Sequence, residues 1–349
     1  MMVEDIEERK KKILKAIIQE HIFTAKPIGS RTLAKSYDFD VSSATIRNEM
    51  ADLEDMGYIK QPHTSAGRIP SDKGYRYYVD VLMDQEGATP SQLQNSLSKF
   101  YEEKEGIQGI ISGMVNMLSR LTKYTTMISE PELQKSKIKK LELIHIAKKT
   151  LLIVLITDTG IVNNKIIKLQ QDLSPKQLKE ISRYLFKRLQ DQKLAQLDQE
   201  FLQQVGNDLM NRIDLSHRLF KMISNELNKI ARPSDLRIFL GGTSYILDQP
   251  EFNDMKTLKK VLKILDHEEN LRQLVQNLPN DDLEVKIGHE NKLQGMQNCS
   301  IVCATYHLGD KAVGKIGVIG PTRMEYPRVI STVDVAADIL GKIISKVGR

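Results

Sequence analysis

Apolar residues recur at helical spacing near the start of the chain. One face of residues 3–20 carries Ile6, Ile13, Leu14, Ile17 and Ile18, with lysines on the other face. This period predicts a first helix over residues 3–20. The segment TAKPIGS then breaks the pattern with a proline and a glycine, and Ser30 is placed to cap a short second helix with the sequence RTLAKSY.

A third helix is predicted to begin after Ser42 and to end before Gly57. Serine is a favourable N-cap residue, and glycine commonly follows the last turn of a helix. Ile46, Met50 and Leu53 lie at positions i, i+4 and i+7 of this segment. We therefore expect these three side chains to face the core.

A β-hairpin follows the third helix. A strand over residues 58–61 leads through the loop PHTSAGR to a return strand near Ile69, and Pro70 and Ser71 begin another helix. Three helices followed by a hairpin are the order of a winged helix-turn-helix, whose recognition helix enters the major groove of double-stranded DNA. We therefore predict a winged-helix DNA-binding domain over residues 1–88.

The remaining pattern alternates between strands and helices. A long helix is predicted over residues 93–126, followed by the strands IKKLELIHI, TLLIVLIT and GIVNNKIIKL and by a largely helical stretch over residues 174–232. A short strand at residues 237–240 ends in GGTS, and a helix over residues 255–278 precedes three more strands and a final helix over residues 329–347. This order predicts one α+β domain interrupted by an inserted, mostly helical domain.

These elements divide the rest of the chain into three segments. The first part of the α+β domain is predicted at residues 89–188, the inserted domain at residues 189–278, and the second part of the α+β domain at residues 279–349. The predicted fold class of the whole chain is α+β.

The outer face of the third helix offers chemistry suited to reading base pairs. At about 100° per residue, Ala44 and Asn48 lie opposite the apolar stripe, Thr45 and Arg47 flank them, and Ser43 lies at the N-terminal end. Asn pairs bidentately with adenine and Arg with guanine, and each such pair contributes roughly 1–3 kcal/mol of discrimination. We predict that these five residues contact DNA.

The hairpin supplies three more candidate contacts. Its tip HTSAGR is small and ends in Arg68, and an arginine there can enter a minor groove or hold a phosphate. Lys60 and His63 are placed to contact the DNA backbone. The chain contains no Trp and only 5% aromatic residues, so a base-stacking platform for single strands is not expected.

The formal net charge of +6 bears only weakly on DNA binding. Residues 1–80 carry equal numbers of basic and acidic residues, so the distribution of charge matters more than its total. Basic residues cluster at residues 9–15 and 60–76, and acidic residues cluster at residues 4–8 and 49–55. This polarity predicts a DNA-facing side and a solvent-facing side.

Two further features bear on localisation and redox chemistry. The start MMVEDIEERKKK lacks the apolar core of a secretory signal, and the most apolar run, residues 151–156, is far shorter than the ~20 residues of a membrane helix. We expect a cytoplasmic protein with no membrane contact. Cys299 and Cys303 lie in CSIVCATYHL, which predicts a buried strand with packed thiols.

Other motifs have plain structural explanations. GDKAVGKI at residues 309–316 has the glycine and lysine spacing of a P-loop, but Ile316 stands where the Mg²⁺-binding Ser or Thr belongs, and a strand is predicted to follow. GGTS at residues 241–244 more often forms a tight turn than a ligand cradle. The histidines lack the partners of a zinc site, and no nucleophile elbow occurs. We predict no enzymatic activity, no cofactor and no metal.

Three stretches of the sequence stand out together. They are PIGSRTLAKSYDFDVSSATIRNEMADLEDMGYIKQPHTSAGRIPSDKGYRYYVD at residues 27–80, RIFLGGTSYIL at residues 237–247 and GKIGVIGPTRMEYPRVI at residues 314–330. The first is highly specific, because ATIRNEMADLE followed by HTSAGR and a proline is hard to match by chance. In this combination and order, the chain resembles the HrcA family of bacterial heat-inducible transcription repressors.

The resemblance implies a winged helix, a GAF-like domain and a dimerisation domain inserted within it. It also implies a homodimer that represses chaperonin and DnaK operons by binding the CIRCE inverted repeat, with the chaperonin GroEL as the partner that keeps the repressor competent. The family's DNA-contact regions map onto residues 42–48 and 64–68. A metabolite-responsive winged-helix regulator, which senses a small molecule through its C-terminal domain, is the alternative hypothesis.

Overall fold

Helices and three antiparallel sheets make up the computed structural model of the protein. It describes residues 6–63, 66–83, 106–131, 136–158, 161–169, 172–210, 217–231, 237–278, 282–308 and 311–347. The mixture of helices and antiparallel strands agrees with the predicted α+β class. None of the helices in these ranges combines the length and apolar character needed to cross a membrane.

The N-terminal module, residues 6–83, consists of helices and one hairpin. Its elements are, in chain order, α1 (Glu8–Thr24), α2 (Ser30–Ser36), α3 (Ser43–Asp55), β1 (Ile59–Lys60), β2 (Ile69–Pro70) and α4 (Asp72–Tyr77), which continues as a π-helical turn over Tyr78–Leu82. Two serines cap helices as predicted, whereas Ser30, the predicted cap of α2, is the first residue of that helix and Gly29 takes the cap position. Ser42 Oγ accepts the Thr45 backbone N–H at 3.1 Å, and Ser71 Oγ accepts that of Gly74 at 3.1 Å.

The apolar faces of α1 and α3 form the core of this module. The predicted inward residues are buried, and among them are Ile13, Leu14, Ile17, Ile46 and Leu53. The hairpin is held to the segment before α2 by two backbone hydrogen bonds of 2.8 Å between Ile28 and Arg68. A Cβ at Gly67 would lie 2.4 Å from the Ile28 carbonyl oxygen, so this close approach requires glycine.

The rest of the chain contains two sheets and the helices that cover them. In chain order its elements are α5 (Gly106–Thr122), β3 (Thr125–Ser129), β4 (Ile138–Ala147), β5 (Thr150–Thr157), β6 (Val162–Lys168), α6 (Pro175–Leu189), α7 (Gln199–Met210), α8 (His217–Ala231), β7 (Ile238–Gly241), α9 (Met255–Asp266), α10 (Glu268–Gln276), β8 (Leu283–Ile287), β9 (Cys299–Leu308), β10 (Lys311–Pro321) and α11 (Tyr326–Val347).

A five-stranded antiparallel sheet with the order β7-β3-β10-β9-β8 is the centre of the larger unit. Alternate residues of its strands point to opposite faces. Val302 and Ala304 pack with α5 and α11, whereas Ile301 and Cys303 pack with α9 and α10. Cys299 and Cys303 are buried free thiols, as predicted, and burial raises the pKa of each to about 12.

Three of the predicted helices differ from the structure. The first, predicted over residues 3–20, begins at Glu8 and ends at Thr24. The helix predicted over residues 93–126 ends at Thr122, and the residues that follow form β3, which lies between β7 and β10. The spacing of apolar residues in a short run does not distinguish a strand from a helix. These residues form a strand because they pair with β7 on one side and with β10 on the other. The helix predicted over residues 255–278 is two helices, α9 and α10, that meet at His267. Residues 84–105 lie outside the described residues.

Strands β4, β5 and β6 form their own antiparallel sheet, with the order β4-β5-β6. The inner face of this sheet packs against α6, α7 and α8 around a single apolar cluster that runs from Ile138 to Leu227. From the sequence, the three strands are predicted to belong to the α+β domain, with a boundary between residues 188 and 189. That boundary divides this cluster, which contains residues on both sides of it. The three strands are joined by short turns, so they pair with one another and not with the larger sheet.

The predicted inserted domain at residues 189–278 also includes elements of the larger unit. β7 pairs with β3, and α9 and α10 pack on the five-stranded sheet. The three-stranded sheet and its helices, residues 136–231, therefore share a core made of residues from this part of the chain. We refer to residues 136–231 as the inserted unit.

Charged contacts join the N-terminal module to one end of the five-stranded sheet. Arg76 of α4 donates from Nε to Glu290 Oε1 at 2.8 Å and from Nη2 to the Val285 carbonyl oxygen at 2.5 Å. Asp72 Oδ2 accepts the backbone N–H of His289 at 2.9 Å and lies 2.7 Å from Nδ1 of its ring. These contacts hold α4 against β8 and the turn that follows it.

A second group of contacts surrounds the buried ring of Tyr75. This ring lies 5.9 Å from that of Tyr326, centroid to centroid, and its hydroxyl lies 2.7 Å from His21 Nδ1. Arg323, just before α11, donates from Nη1 to the Ile22 carbonyl oxygen at 2.6 Å. Burial lowers the pKa of His21 to about 4, so its imidazole is neutral near pH 7 and fits beside a cationic guanidinium.

We expect Arg76→Met to lower the free energy of unfolding by about 1–2 kcal/mol, because Glu290 and the Val285 carbonyl would lose a charged donor that is about a third exposed. Urea unfolding followed by circular dichroism measures the change. Arg31→Met is the matched control, since Arg31 is exposed on α2 and has no described ion-pair partner. Equal unfolding midpoints for the two variants would contradict a stabilising role for the Arg76 contacts.

Candidate nucleic-acid interface

Helix α3 presents one buried face and one exposed face. Ile46, Met50 and Leu53 are buried in the module core, as the spacing predicts. The Ser42 cap fixes the start of the helix, and Gly57, with a φ of 78°, follows its end in the left-handed region. Because both ends and the inner face are set in this way, the rotation of α3 about its axis is defined.

The five residues predicted to contact DNA lie together on the first two turns of α3. Ala44, Arg47 and Asn48 are exposed, and Ser43 and Thr45 are partly exposed. Thr45 Oγ1 lies 3.0 Å from Ser42 Oγ, so its hydroxyl is shared with the helix cap. Among the described residues, the side chains of Arg47 and Asn48 have no ion-pair or hydrogen-bond partner, and their donors are available to a ligand.

The hairpin carries the other predicted contacts. Lys60 on β1 and His63 in the loop are exposed. The loop is closed by the hydrogen bond from the Ala66 N–H to the His63 carbonyl oxygen at 2.9 Å and by the bond from Gln61 Nε2 to the Ala66 carbonyl oxygen at 3.0 Å. The tip residues Thr64 and Ser65, which belong to the predicted contact region, lie outside the described residues.

Arg68 differs from the sequence prediction in its surroundings. Its Nε donates to Glu54 Oε2 at 2.8 Å, so the guanidinium is held against the last turn of α3. A guanidinium has five N–H donors, and this contact uses one of them. Glu54 therefore orients Arg68 and leaves its two terminal nitrogens able to donate to a phosphate.

The basic cluster at the start of α1 is partly turned inward. Glu49 of α3 is buried, and its carboxylate lies 2.6 Å from Arg9 Nη2 and 2.9 Å from Lys10 Nζ. Lys10 Nζ also lies 3.1 Å from Asp52 Oδ2. Arg9 and Lys10 of the basic cluster at residues 9–15 are therefore engaged in pairing a buried carboxylate, as such a group requires.

Glu49 is a residue that the sequence analysis missed. It follows Ile46 by one helical turn and precedes Met50, so the spacing of α3 already placed it beside the apolar stripe. Burial would raise the pKa of the Glu49 carboxyl, but hydrogen bonds from Lys10 and Arg9 outweigh burial and hold that pKa below its usual value. These contacts join α1 to α3, the helix that carries the candidate DNA contacts.

Two glycine-containing motifs have structural roles. Gly314 and Lys315 of the P-loop-like segment lie within β10, and Lys315 Nζ lies 3.3 Å from the Val275 carbonyl oxygen and also contacts that of Leu278. Lys315 thus caps the end of α10. In GGTS, Gly242 adopts a φ of 70°, where a Cβ would lie 2.4 Å from that of Ser119, so the motif is a tight turn.

We expect Glu49→Gln to lower the free energy of unfolding by about 1–3 kcal/mol at pH 7, because an amide cannot replace a carboxylate paired with two cations. The folded-state pKa lies below the ordinary value of 4.5. The stabilisation is therefore fully present above about pH 4.5 and is lost as the pH falls through the lower folded pKa. The difference between the variant and the unaltered protein should shrink as the pH falls below about 4.5.

Chemical unfolding at several pH values measures this difference. Asp55→Asn is the matched control, because Asp55 is an exposed carboxylate at the end of the same helix. A pH-independent difference for Glu49→Gln, or an equal loss for Asp55→Asn, would contradict the role of the ionised Glu49.

Comparisons with known proteins give a consistent result. The HrcA protein C-terminal domain matches residues 108–330. The heat-inducible transcription repressor HrcA of Moorella thermoacetica is 38% identical over 346 residues, which are 99% of each chain. That of Natranaerobius thermophilus is 41% identical over 340 residues, which are 97% of each chain.

A solved structure shares the fold. It is the crystal structure of a hypothetical protein at 2.2 Å resolution, with a TM-score of 0.63 and 22% identity, and the match covers 98% of this chain and 100% of that chain. The sequence matches extend over both the N-terminal module and the C-terminal units. The chain therefore belongs to the HrcA family.

Proposed function

We propose that this protein represses heat-shock genes by binding double-stranded DNA through its N-terminal module. The observation that carries the proposal is the exposed face of α3, where the side chains of Arg47 and Asn48 have no partner among the described residues, while the opposite face is buried in the core. Relatives that are 38% and 41% identical over nearly the whole chain are named heat-inducible transcription repressors.

The N-terminal module acts as a winged helix-turn-helix in this proposal. α3 is the recognition helix and enters the major groove, where Ser43, Ala44, Thr45, Arg47 and Asn48 meet base edges and the nearest phosphates. The hairpin β1–β2 is the wing. Lys60, His63 and Arg68 contact the DNA backbone from the wing, and the pairing of Arg68 with Glu54 supports this orientation.

The domain boundaries proposed from the cores differ from those predicted from the sequence. The DNA-binding domain spans residues 6–83, and the GAF-like domain is built from residues 106–131 and 237–347. The inserted dimerisation domain spans residues 136–231. The separate apolar cluster of the inserted unit supports this division.

The outer face of the three-stranded sheet supports a homodimer. Ile144, Leu152 and Ile166 lie side by side across the three strands, and Ile144 and Ile166 are 40% and 60% exposed. Ile146 and Val162 extend this apolar surface, at 47% and 54% exposed. A second copy of the chain that covers this face would give the two-fold assembly that an inverted repeat requires, with half-sites about 34–36 Å apart.

The CIRCE inverted repeat as operator and GroEL as the chaperonin partner remain part of the proposal, and both rest on the family resemblance. The metabolite-sensing alternative rested on GGTS and on the glycine-rich strand, and both have structural roles as a turn and as part of β10. A gel shift with the repeat, with and without GroEL and ATP at two temperatures, tests chaperonin dependence. Equal binding of the repeat in all of these conditions would contradict a dependence on the chaperonin.

We expect Arg47→Ala and Asn48→Ala each to reduce binding to the inverted repeat by about 1–3 kcal/mol, roughly 5- to 150-fold, without a similar loss on random DNA. The reason is that each side chain supplies a bidentate base contact. Fluorescence anisotropy with both DNAs at a fixed salt concentration measures the ratio. Arg120→Ala is the control, because Arg120 is exposed on α5. Equal losses on both DNAs would contradict base reading by α3.

We expect Ile166→Asp to weaken dimerisation at least about tenfold, because a carboxylate buried in an apolar interface without a partner is costly. Sedimentation equilibrium measures the dimer dissociation constant. Met255→Asp is the matched control, since Met255 is 62% exposed on α9, outside the inserted unit. An unchanged dimer for Ile166→Asp would show that the sheet face is not the interface.

A further inference from the structure

We propose that a groove between β4 and α6 binds an extended acidic peptide of a partner protein. The groove has a volume of about 1070 Å³, and we call it the β4–α6 groove. One wall is residues 139–145 of β4, and the other carries Leu178, Lys179, Ser182, Arg183 and Phe186 of α6. It lies in the inserted unit and has no residue in common with the DNA-reading face of α3.

Both walls are elongated. The strand wall extends over about 23 Å, at roughly 3.3 Å per residue. The part of α6 that lines the groove, from Pro175 to Phe186, extends over about 18 Å, at roughly 1.5 Å per residue. The shorter wall accommodates about five or six residues in an extended conformation, whereas a compact small molecule would use only part of the groove.

The strand wall offers unpaired backbone groups. β4 is an edge strand, paired on one side with β5. The Leu143 N–H points away from β5, because it donates to Ser182 Oγ at 3.3 Å. Alternate residues of an antiparallel strand direct their backbone groups to the same side, so Leu141 and His145 also face the groove. Within the described ranges, no group hydrogen-bonds to their backbone there.

Such an edge is a template for strand addition. A peptide laid along β4 would donate to and accept from the backbone of Leu141 and His145. At Leu143 the bond to Ser182 is long, and a peptide carbonyl would satisfy the same N–H while the serine hydroxyl turned to solvent. Backbone pairing of this kind gives affinity without requiring one particular sequence.

The charges of the groove select an acidic occupant. Lys140 is paired with Glu142 at 2.9 Å, and His145 Nε2 lies 3.2 Å from Asp172 Oδ1. By contrast, the groove residues Lys139, Lys179 and Arg183 have no carboxylate within ion-pair distance among the described residues. The uncompensated charge is therefore positive on both walls, and it complements Asp and Glu side chains.

The floor of the groove adds an alternating preference. Leu141 and Leu143 are buried at 2% and 6% exposure, and Leu178 and Phe186 flank them. In an added strand, side chains alternate between the floor and solvent. Apolar residues would therefore alternate with acidic ones in the bound peptide. Lysines on an edge strand can also serve to prevent two copies of a sheet from pairing. Lys179 and Arg183 lie on the helix wall instead, so that role does not explain them.

The experiment uses the full-length protein and a fluorescein-labelled octapeptide of alternating Glu and Val. We expect saturable binding by fluorescence anisotropy, and a dissociation constant at least about tenfold higher for Lys179→Glu/Arg183→Glu. Lys165→Glu/Lys168→Glu is the matched control, because these exposed lysines reverse the same charge on β6, at the opposite edge of the sheet. The control should bind as the unaltered protein does.

Hydrogen exchange gives a second readout that charge attraction alone would not produce. Strand addition should slow exchange of the amides at residues 141–145 when the peptide is bound. The absence of saturable binding up to about 1 mM peptide would overturn the proposal. So would an equal loss of affinity in the two double variants, or equal affinity for a peptide of alternating Lys and Val. Slowed exchange at amides outside β4, in place of residues 141–145, would also overturn it. DNA binding is measured in a separate experiment, so failure of peptide binding would not count against the proposed DNA binding, and the reverse also holds.

Discussion

The guanidinium of Arg76 lies where the N-terminal module meets the five-stranded sheet, and it contacts both the Glu290 carboxylate and the backbone of β8. β8 is an edge strand, so the Val285 carbonyl that accepts from Arg76 would otherwise depend on water for a partner. α4 also packs against the hairpin, and the hairpin is bonded to the segment before α2. The orientation of α3 relative to the rest of the chain therefore depends on this contact and on the nearby pairing of Asp72 with His289, together with the packing of Tyr75 on Tyr326.

The charges of the N-terminal module serve two different purposes. Arg9 and Lys10 neutralise the buried carboxylate of Glu49 and join α1 to α3. Glu54 holds Arg68 against α3, whereas Arg47 has no described partner and is left for a ligand. A net charge or a cluster of lysines in the sequence does not separate these purposes. Burial separates them, because a cation beside a buried carboxylate has far more to gain from pairing than one in solvent.

The organisation of the C-terminal region follows from strand pairing rather than from the order of elements. β4, β5 and β6 are joined by short turns and pair with one another, so their apolar faces form a core with α6, α7 and α8. β3 and β7, which flank this unit in sequence, pair across it in the larger sheet. The inserted unit thus begins and ends between two adjacent strands, and it presents an exposed apolar sheet face and a groove with unpaired basic side chains among the described residues.

The sequence by itself determined the local features of the N-terminal module. The spacing of Ile46, Met50 and Leu53, the cap at Ser42 and the glycine at position 57 specify where α3 lies and which residues it exposes, because these signals act within a few residues of one another. Only the tertiary structure decided that β3 is a strand, that β4 to β6 share a core with the helices that follow them, and that Glu49 and Glu54 form ion pairs with residues of the basic clusters. These outcomes depend on contacts between distant segments, and the periodicity of one segment carries no information about its partner.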